Sequence, residues 1–315
     1  MQLQTHINIP EEKPKIDYSS KVLLLGSCFS ENIGEKFAYY QFQQLQNPFG
    51  ILFHPFAIES FIKKVVSQQK YTEQEIFEHQ EIFSCFDAHS RLNALSKEEL
   101  LSNLNSALVE TFQFLKKATH ITITLGTAWI YKHIEQNKYV ANCHKIPQKN
   151  FQKELSSVEG IEKSLQNIIA YIQQINTNGK FIFTISPVRH AKDGLVENQQ
   201  SKAHLIAALH QIRKKLENLY YFPSYEIMMD ELRDYRFYAA DLLHPNQIAV
   251  DYIWDKFVDT WFSSSTLAVM KEVKQIQQGL AHKPFNAHSD AHQKFQKKLQ
   301  QKVEKLQQQF SFFKF

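Results

Sequence analysis

Cysteine is scarce in this chain: Cys28, Cys85 and Cys143 are the only three among 315 residues. Their odd number and lack of metal-ligand spacing argue against a disulfide framework or a cysteine-built metal site, and point to a reducing, cytoplasmic setting. Long apolar runs are missing as well. No stretch approaches the roughly 20 residues that cross a bilayer, so no membrane span is expected. The opening MQLQTHINIPEEKPK lacks a basic start followed by an apolar core, and it is not expected to act as a signal peptide. Charge of one sign is also in short supply, with 36 Lys and Arg against 32 Asp and Glu. The surplus is scattered and falls largely between residues 283 and 305, among glutamines. That argues against a nucleic-acid footprint. No repeat of fixed period is present.

What the chain has is apolar and aromatic side chains, including 25 Phe and 13 Tyr. They suffice for one large domain, or one domain with insertions. The organising stretch is VLLLGSCFSENIGEKF, residues 22–37. Residues 22–25 read as a buried parallel strand, Gly26 as a sharp turn, and Phe29, Ile33, Phe37 and Tyr40 as one face of a helix. Ser27 stands where strand gives way to helix. Taken alone it fits a helix N-cap best; the other reading is a nucleophile beside the positive end of a helix.

Around this stretch a rhythm of strands and helices follows. Before it lies an extended arm with Leu3 and Ile7 as anchors. Residues 42–45 read as a second strand, and the turn-rich NPFGILFHP (47–55) as a loop. A helix is expected over 57–66, with Ile58, Phe61, Ile62 and Val65 inward, and an irregular insertion over 68–93. Ser96 and Glu99 open a long helix with a capping box. The remaining strands are expected at 121–125, 180–185 and 219–222, each after an amphipathic helix. This order predicts a parallel sheet covered on both faces, with its chemistry at the carboxyl ends of the strands. Beyond the last strand a helix is expected over 247–262, and residues 266–315 read as a helical hairpin appended to a body of residues 1–265. That hairpin is a candidate surface for self-association.

Asp241 and His244 are three apart and precede Pro245. A carboxylate so placed can accept an imidazole N–H and leave the other ring nitrogen to take a proton from a serine. In isolation the same spacing suits a capped turn with a surface histidine. Loop histidines His54, His144 and His190 are candidates for the substrate pocket, or else structural. Cys28 is a weaker nucleophile candidate, with its side chain expected to point away from the face Ser27 uses. His288 and His292 have the i, i+4 spacing that binds metal on a helix, but no third ligand is evident.

Taken together, the strand–Gly-Ser–helix start and the Asp-x-x-His before the last helix of the body resemble the SGNH, or GDSL-like, hydrolase superfamily. More narrowly, Gly26-Ser27-Cys28-Phe29 followed by Ser30 resembles the GSCFA family, whose namesake motif ends in alanine. NPFGILFHP, LGTAWIY, NCHKIP, ISPVRH with Ser201-Lys202, and DLLHP are similar to that family's blocks. The resemblance implies a three-layer, flavodoxin-like α/β fold with a five-stranded parallel sheet in the order 2-1-3-4-5, a helical insertion and the C-terminal hairpin.

It further implies a serine esterase working through an acyl-enzyme, with Ser27 as nucleophile, His244 as base, Asp241 as its orienting partner and Gly50 as an oxyanion donor. Small-molecule or carbohydrate esters are the implied substrates, and neither metal nor organic cofactor is implied. The superfamily's asparagine is replaced here by Ala128, and losing one oxyanion donor typically costs about 10²–10³ in turnover. Asn142, or failing that Thr127, is the expected substitute. Hence a weakly active carbohydrate- or metabolite-binding protein on the same fold is the alternative, and acyl transfer is a third reading that the same residues would serve.

Overall fold

The structure, a computed structural model, describes residues 4–315; Leu3 lies outside the described residues. The apolar runs become the strands of a five-stranded sheet: β1 (Lys21–Gly26), β2 (Gln43–Gln46), β3 (His120–Leu125), β4 (Lys180–Ile185) and β5 (Leu219–Phe222). All neighbours pair in parallel, in the order β2-β1-β3-β4-β5. The register puts Leu23 beside Leu45 on one side and Ile121 on the other, and Ile123 beside Phe183. This is the order that the resemblance implied. Central strands buried on both faces explain why β1, β3 and β4 are continuous in apolar or β-branched residues rather than alternating.

Alternate side chains of the sheet feed two cores. Leu23, Leu25, Ile121, Ile123, Phe181 and Phe183 join the layer formed by α2 (Pro55–Ser67), α3 (Lys97–Leu115), α4 (Val158–Gln173) and α5 (Leu195–Arg213). Val22, Leu24, Ile182 and Phe222 join the opposite layer. That layer holds α1 (Cys28–Tyr39), α6 (Gln247–Trp261), α7 (Ser264–Ala281) and α8 (Asp290–Gln309). Its aromatic residues interlock: Phe37 meets Trp254 edge-on at 5.3 Å between centroids, and Phe222 meets Phe257 at 5.1 Å. The expected C-terminal hairpin is present. Met270, Val273, Ile276, Val303 and Leu306 bury into the same core as α1 and α6, so the hairpin shares the interior of the body.

Local rules hold at the helix ends. Ser96 Oγ accepts the Glu99 N–H at 3.1 Å to start α3, and Asn246 Oδ1 accepts the Ala249 N–H at 3.1 Å to start α6. Three features differ from expectation. Between α2 and α3, the excursion over 68–93 contains a short hairpin, Phe77–His79 with Ile82–Ser84. After β3 the chain builds a three-stranded antiparallel sheet from Trp129–His133, Lys138–Val140 and Phe151–Leu155, which the sequence did not announce. His288 precedes α8, whose N-cap is Ser289, so it shares no helix face with His292. No group of three or more His, Cys, Asp or Glu side chains suited to a metal ion occurs among the described residues, nor any helix long and apolar enough to cross a membrane.

Candidate functional site

Ser27 owes its position to Gly26. At φ +133°, Gly26 takes a conformation that other residues rarely adopt, and a Cβ there would lie 2.1 Å from Thr124 O. The Gly26 N–H donates to the buried Asn47 Oδ1 at 2.9 Å, and the Ser27 N–H donates to Thr124 O at 3.0 Å. The chain is thus turned off the sheet between β1 and β3 and delivered into α1. Ser27 is 2% exposed, and its Oγ accepts the Phe29 N–H at 3.3 Å. The serine therefore is the N-cap of α1, through a long hydrogen bond that leaves the hydroxyl proton uncommitted.

The carboxylate–histidine pair is built by the loop ahead of α6. Leu242 at φ +59°, with its N–H on Ala239 O, tightens that loop, and the Ala239 N–H donates to His244 O at 2.7 Å. Asp241 Oδ1 accepts the N–H groups of Leu243 at 2.9 Å and His244 at 3.0 Å, while Oδ2 lies 2.6 Å from His244 Nδ1. The backbone N–H groups of His244 and Leu243, followed by the His244 side chain, hold the Asp241 carboxyl down at about 2. An ionised carboxylate only accepts, so Nδ1 carries the proton and Nε2 is the basic nitrogen. The His244 side chain is 48% exposed, and its imidazole is open to solvent.

Ser27 and His244 line one cavity of about 470 Å³ at the carboxyl edge of the sheet. No hydrogen bond joins them among the described residues: the hydroxyl meets Phe29, and the imidazole meets Asp241. Thr127, His54 and His190 line the same cavity, as does Cys28, which also packs against the core of the α1 layer. Burial raises the Cys28 thiol above its usual range, which disfavours a thiolate.

Of the expected pocket histidines, His54 is committed to structure. Its Nδ1 accepts the Phe56 N–H at 3.1 Å and caps α2, so the ring proton sits on Nε2, which faces Ser156 Oγ at 3.1 Å and Ala128 O at 3.3 Å. His190 is different. Its Nε2 is buried without a partner, its ring packs against Phe53, and burial, with Lys202 and His244 nearby, brings it down to about 3. His144 is not a pocket residue: it lies among Phe77 and Phe86 with Nε2 2.7 Å from Cys85 O.

The oxyanion assignments need correction. Gly50 sits at φ +71° and its N–H is spent on Asn47 O at 2.7 Å, closing the turn after β2. Asn142 lies outside the cavity lining, and its Oδ1 accepts the His144 N–H at 2.8 Å in a local turn. The Thr127 hydroxyl faces Ser201 Oγ at 2.9 Å and accepts the Trp129 N–H, while Ser201 Oγ also receives the Ala128 N–H. Backbone donors remain in the lining. The Thr127 N–H is without a hydrogen-bond acceptor among the described residues, and the Cys28 N–H meets only its own thiol; both residues line the cavity.

One residue escaped sequence reasoning as a site element. Lys202, fully buried on α5, donates to Gly126 O at 2.6 Å and Ser186 O at 2.8 Å, tying together the carboxyl ends of β3 and β4. No carboxylate pairs with it among the described residues, and burial lowers it to about 7. The signal was there in spacing: 202 falls on the stripe of Leu205, Leu209 and Ile212.

A model of the GSCFA family matches residues 21–257, and a model of the GSCFA domain protein C-terminal domain matches residues 273–315. A search of curated proteins finds no match. Among solved structures, the chain is similar to a Clostridium thermocellum family 3 carbohydrate esterase at 10% identity, covering 80% of this chain and 97% of that one, with a TM-score of 0.36. Superposition at that level carries no weight for activity.

Proposed function

The chain belongs to the GSCFA family, and from the geometry of its cavity we propose that it is a serine-dependent ester hydrolase. The observation that carries this reading is the meeting of Ser27 and His244, the latter oriented by Asp241, in one cavity at the carboxyl edge. Ser27 Oγ attacks the acyl carbon of a small-molecule or carbohydrate ester and passes its proton to His244 Nε2. The carbonyl oxygen becomes an oxyanion facing the Cys28 N–H at the N-terminus of α1 and the Thr127 N–H just after β3. Collapse of the tetrahedral intermediate breaks the bond to the alcohol oxygen, which takes the proton from His244. Water then attacks the acyl-serine, gives a proton to the same nitrogen, and the acid leaves as Ser27 is regenerated. Before attack the hydroxyl must turn from Phe29 toward His244.

One observation favours a second reading, a binding protein without useful turnover. The N–H groups of Ser27, Gly50 and Ala128 are all spent inside the fold. A fluorophosphonate label separates the two. Under the hydrolase reading, intact-mass analysis gives one adduct per chain, on Ser27, and Ser27→Ala abolishes both the adduct and turnover of aryl esters. Folded protein that takes no label and turns over no ester in a broad panel leaves the binding reading.

A further inference from the structure

The cavity's wall beyond His244 is cationic in a way that ester cleavage does not require. Arg189 and Lys192 both line it, and neither has a carboxylate partner among the described residues. The one carboxylate in the lining, Asp193, is already paired with Lys153 at 2.5 Å. Arg189 is held in place on two sides. Its backbone N–H donates to Leu243 O at 3.1 Å, and its guanidinium, with its carbon 4.6 Å from the Tyr238 ring centroid, also hydrogen-bonds the Tyr238 side chain. Those contacts hold the guanidinium in place, and its remaining N–H groups can serve a planar, doubly accepting group. Ile51, Phe53 and Val140 in the same lining give it an apolar part.

We propose that Arg189, assisted by Lys192, receives an anionic group of the substrate, so that the preferred esters carry a carboxylate, phosphate or sulfate beside an apolar portion. The proposal rests on the hydrolase reading for its substrate class. A guanidinium in a concave, partly apolar wall keeps more of its attraction than one on an open surface. It also stands beside the base: the segment of Arg189 is tied to Leu243, next to His244. An anion bound there places its ester within the same cavity as Ser27.

The test compares paired substrates on the full chain. 4-Nitrophenyl hemisuccinate against 4-nitrophenyl butyrate puts the charge on the acyl side, and 4-acetoxybenzoate against phenyl acetate puts it on the alcohol side. In at least one pair the anionic ester should be preferred in kcat/KM by about tenfold or more, and added salt should shrink the ratio. Arg189→Gln should bring the ratio down by about tenfold, whereas Arg189→Lys, which keeps the charge but loses the planar fork, should give an intermediate drop. Lys192→Gln should give a smaller drop. An absent preference in both pairs, or a preference that survives Arg189→Gln, overturns the proposal. If no ester is hydrolysed at all, NMR titration of monomethyl succinate into Ser27→Ala decides separately. Binding that disappears in Ser27→Ala with Arg189→Gln sustains the anion site while the hydrolase reading falls, and binding that is absent or unchanged overturns the site.

Discussion

His54 is a buried imidazole that does no acid–base work. Accepting from Phe56 and facing Ser156 and Ala128, it is kept neutral, its pKa pressed by burial from 6.5 to about 3. In the unfolded chain it takes a proton below about 6.5. Between those values the unfolded state binds more protons, so stability falls as pH drops from about 6.5 toward 3. His190, also near 3, acts in the same window. Urea titrations at stepped pH should show His54→Asn losing less stability per pH unit than the wild type, by up to about 1.4 kcal/mol; equal slopes would remove His54 from this account. At this scale the sequence was legible where a residue's role is set by its neighbours in the chain. Asp241 and His244 meet through a four-residue loop, and their pairing follows from spacing. Gly50 was misjudged because its N–H closes a turn on Asn47 O, and Asn142 because its Oδ1 accepts the His144 N–H in a turn outside the cavity; the sequence does not show whether a loop's polar groups close on the loop itself. Lys202 was passed over as an interior residue, despite its place on the inward stripe of α5, because a lysine reads as solvated unless its buried carbonyl partners are known.

At the scale of elements, the junction of β1 and α1 is the most tightly constrained. A methyl group on Gly26 would collide with Thr124 O, a backbone atom of β3 that cannot move without breaking the sheet. Gly26→Ala should therefore cost on the order of 3 kcal/mol or more, measured by chemical denaturation, and should displace Ser27 so that labelling slows even at temperatures where the protein is folded. A cost below about 1 kcal/mol would mean the turn has slack. The parallel strands and their helices were readable because burial on both sheet faces leaves long apolar runs and strong stripes. The three-stranded sheet was not. Its strands, such as Lys138–Val140, are three to five residues long and mix lysine, histidine and glutamate into the pattern, since one side of them meets solvent. Pairing between them, not their composition, makes them strands.

For the whole molecule, the arm before β1 and the end of the chain close over one face of the sheet. Ile16 pairs with Phe262 in an isolated bridge, the Glu12 N–H donates to Thr260 O, and Tyr18 stacks on Phe42 at 4.4 Å. Phe310 and Phe313 then cover Tyr18, at 5.0 and 5.1 Å between centroids. Phe313 is 2% exposed, like a residue of the deep core. Phe313→Ala should cost about 3–5 kcal/mol, as an interior phenylalanine would; a loss under 1 kcal/mol would make the C-terminal segment a mere cover. The same arrangement bears on how the protein is made. Tyr18 and Phe42 leave the ribosome early, whereas the rings that cover them emerge only after α7 and α8 have been made. The layer over α1 and α6 therefore cannot finish assembling until α8 and the residues after it are made, and until then the nascent chain carries an uncovered aromatic face that invites aggregation or chaperone capture.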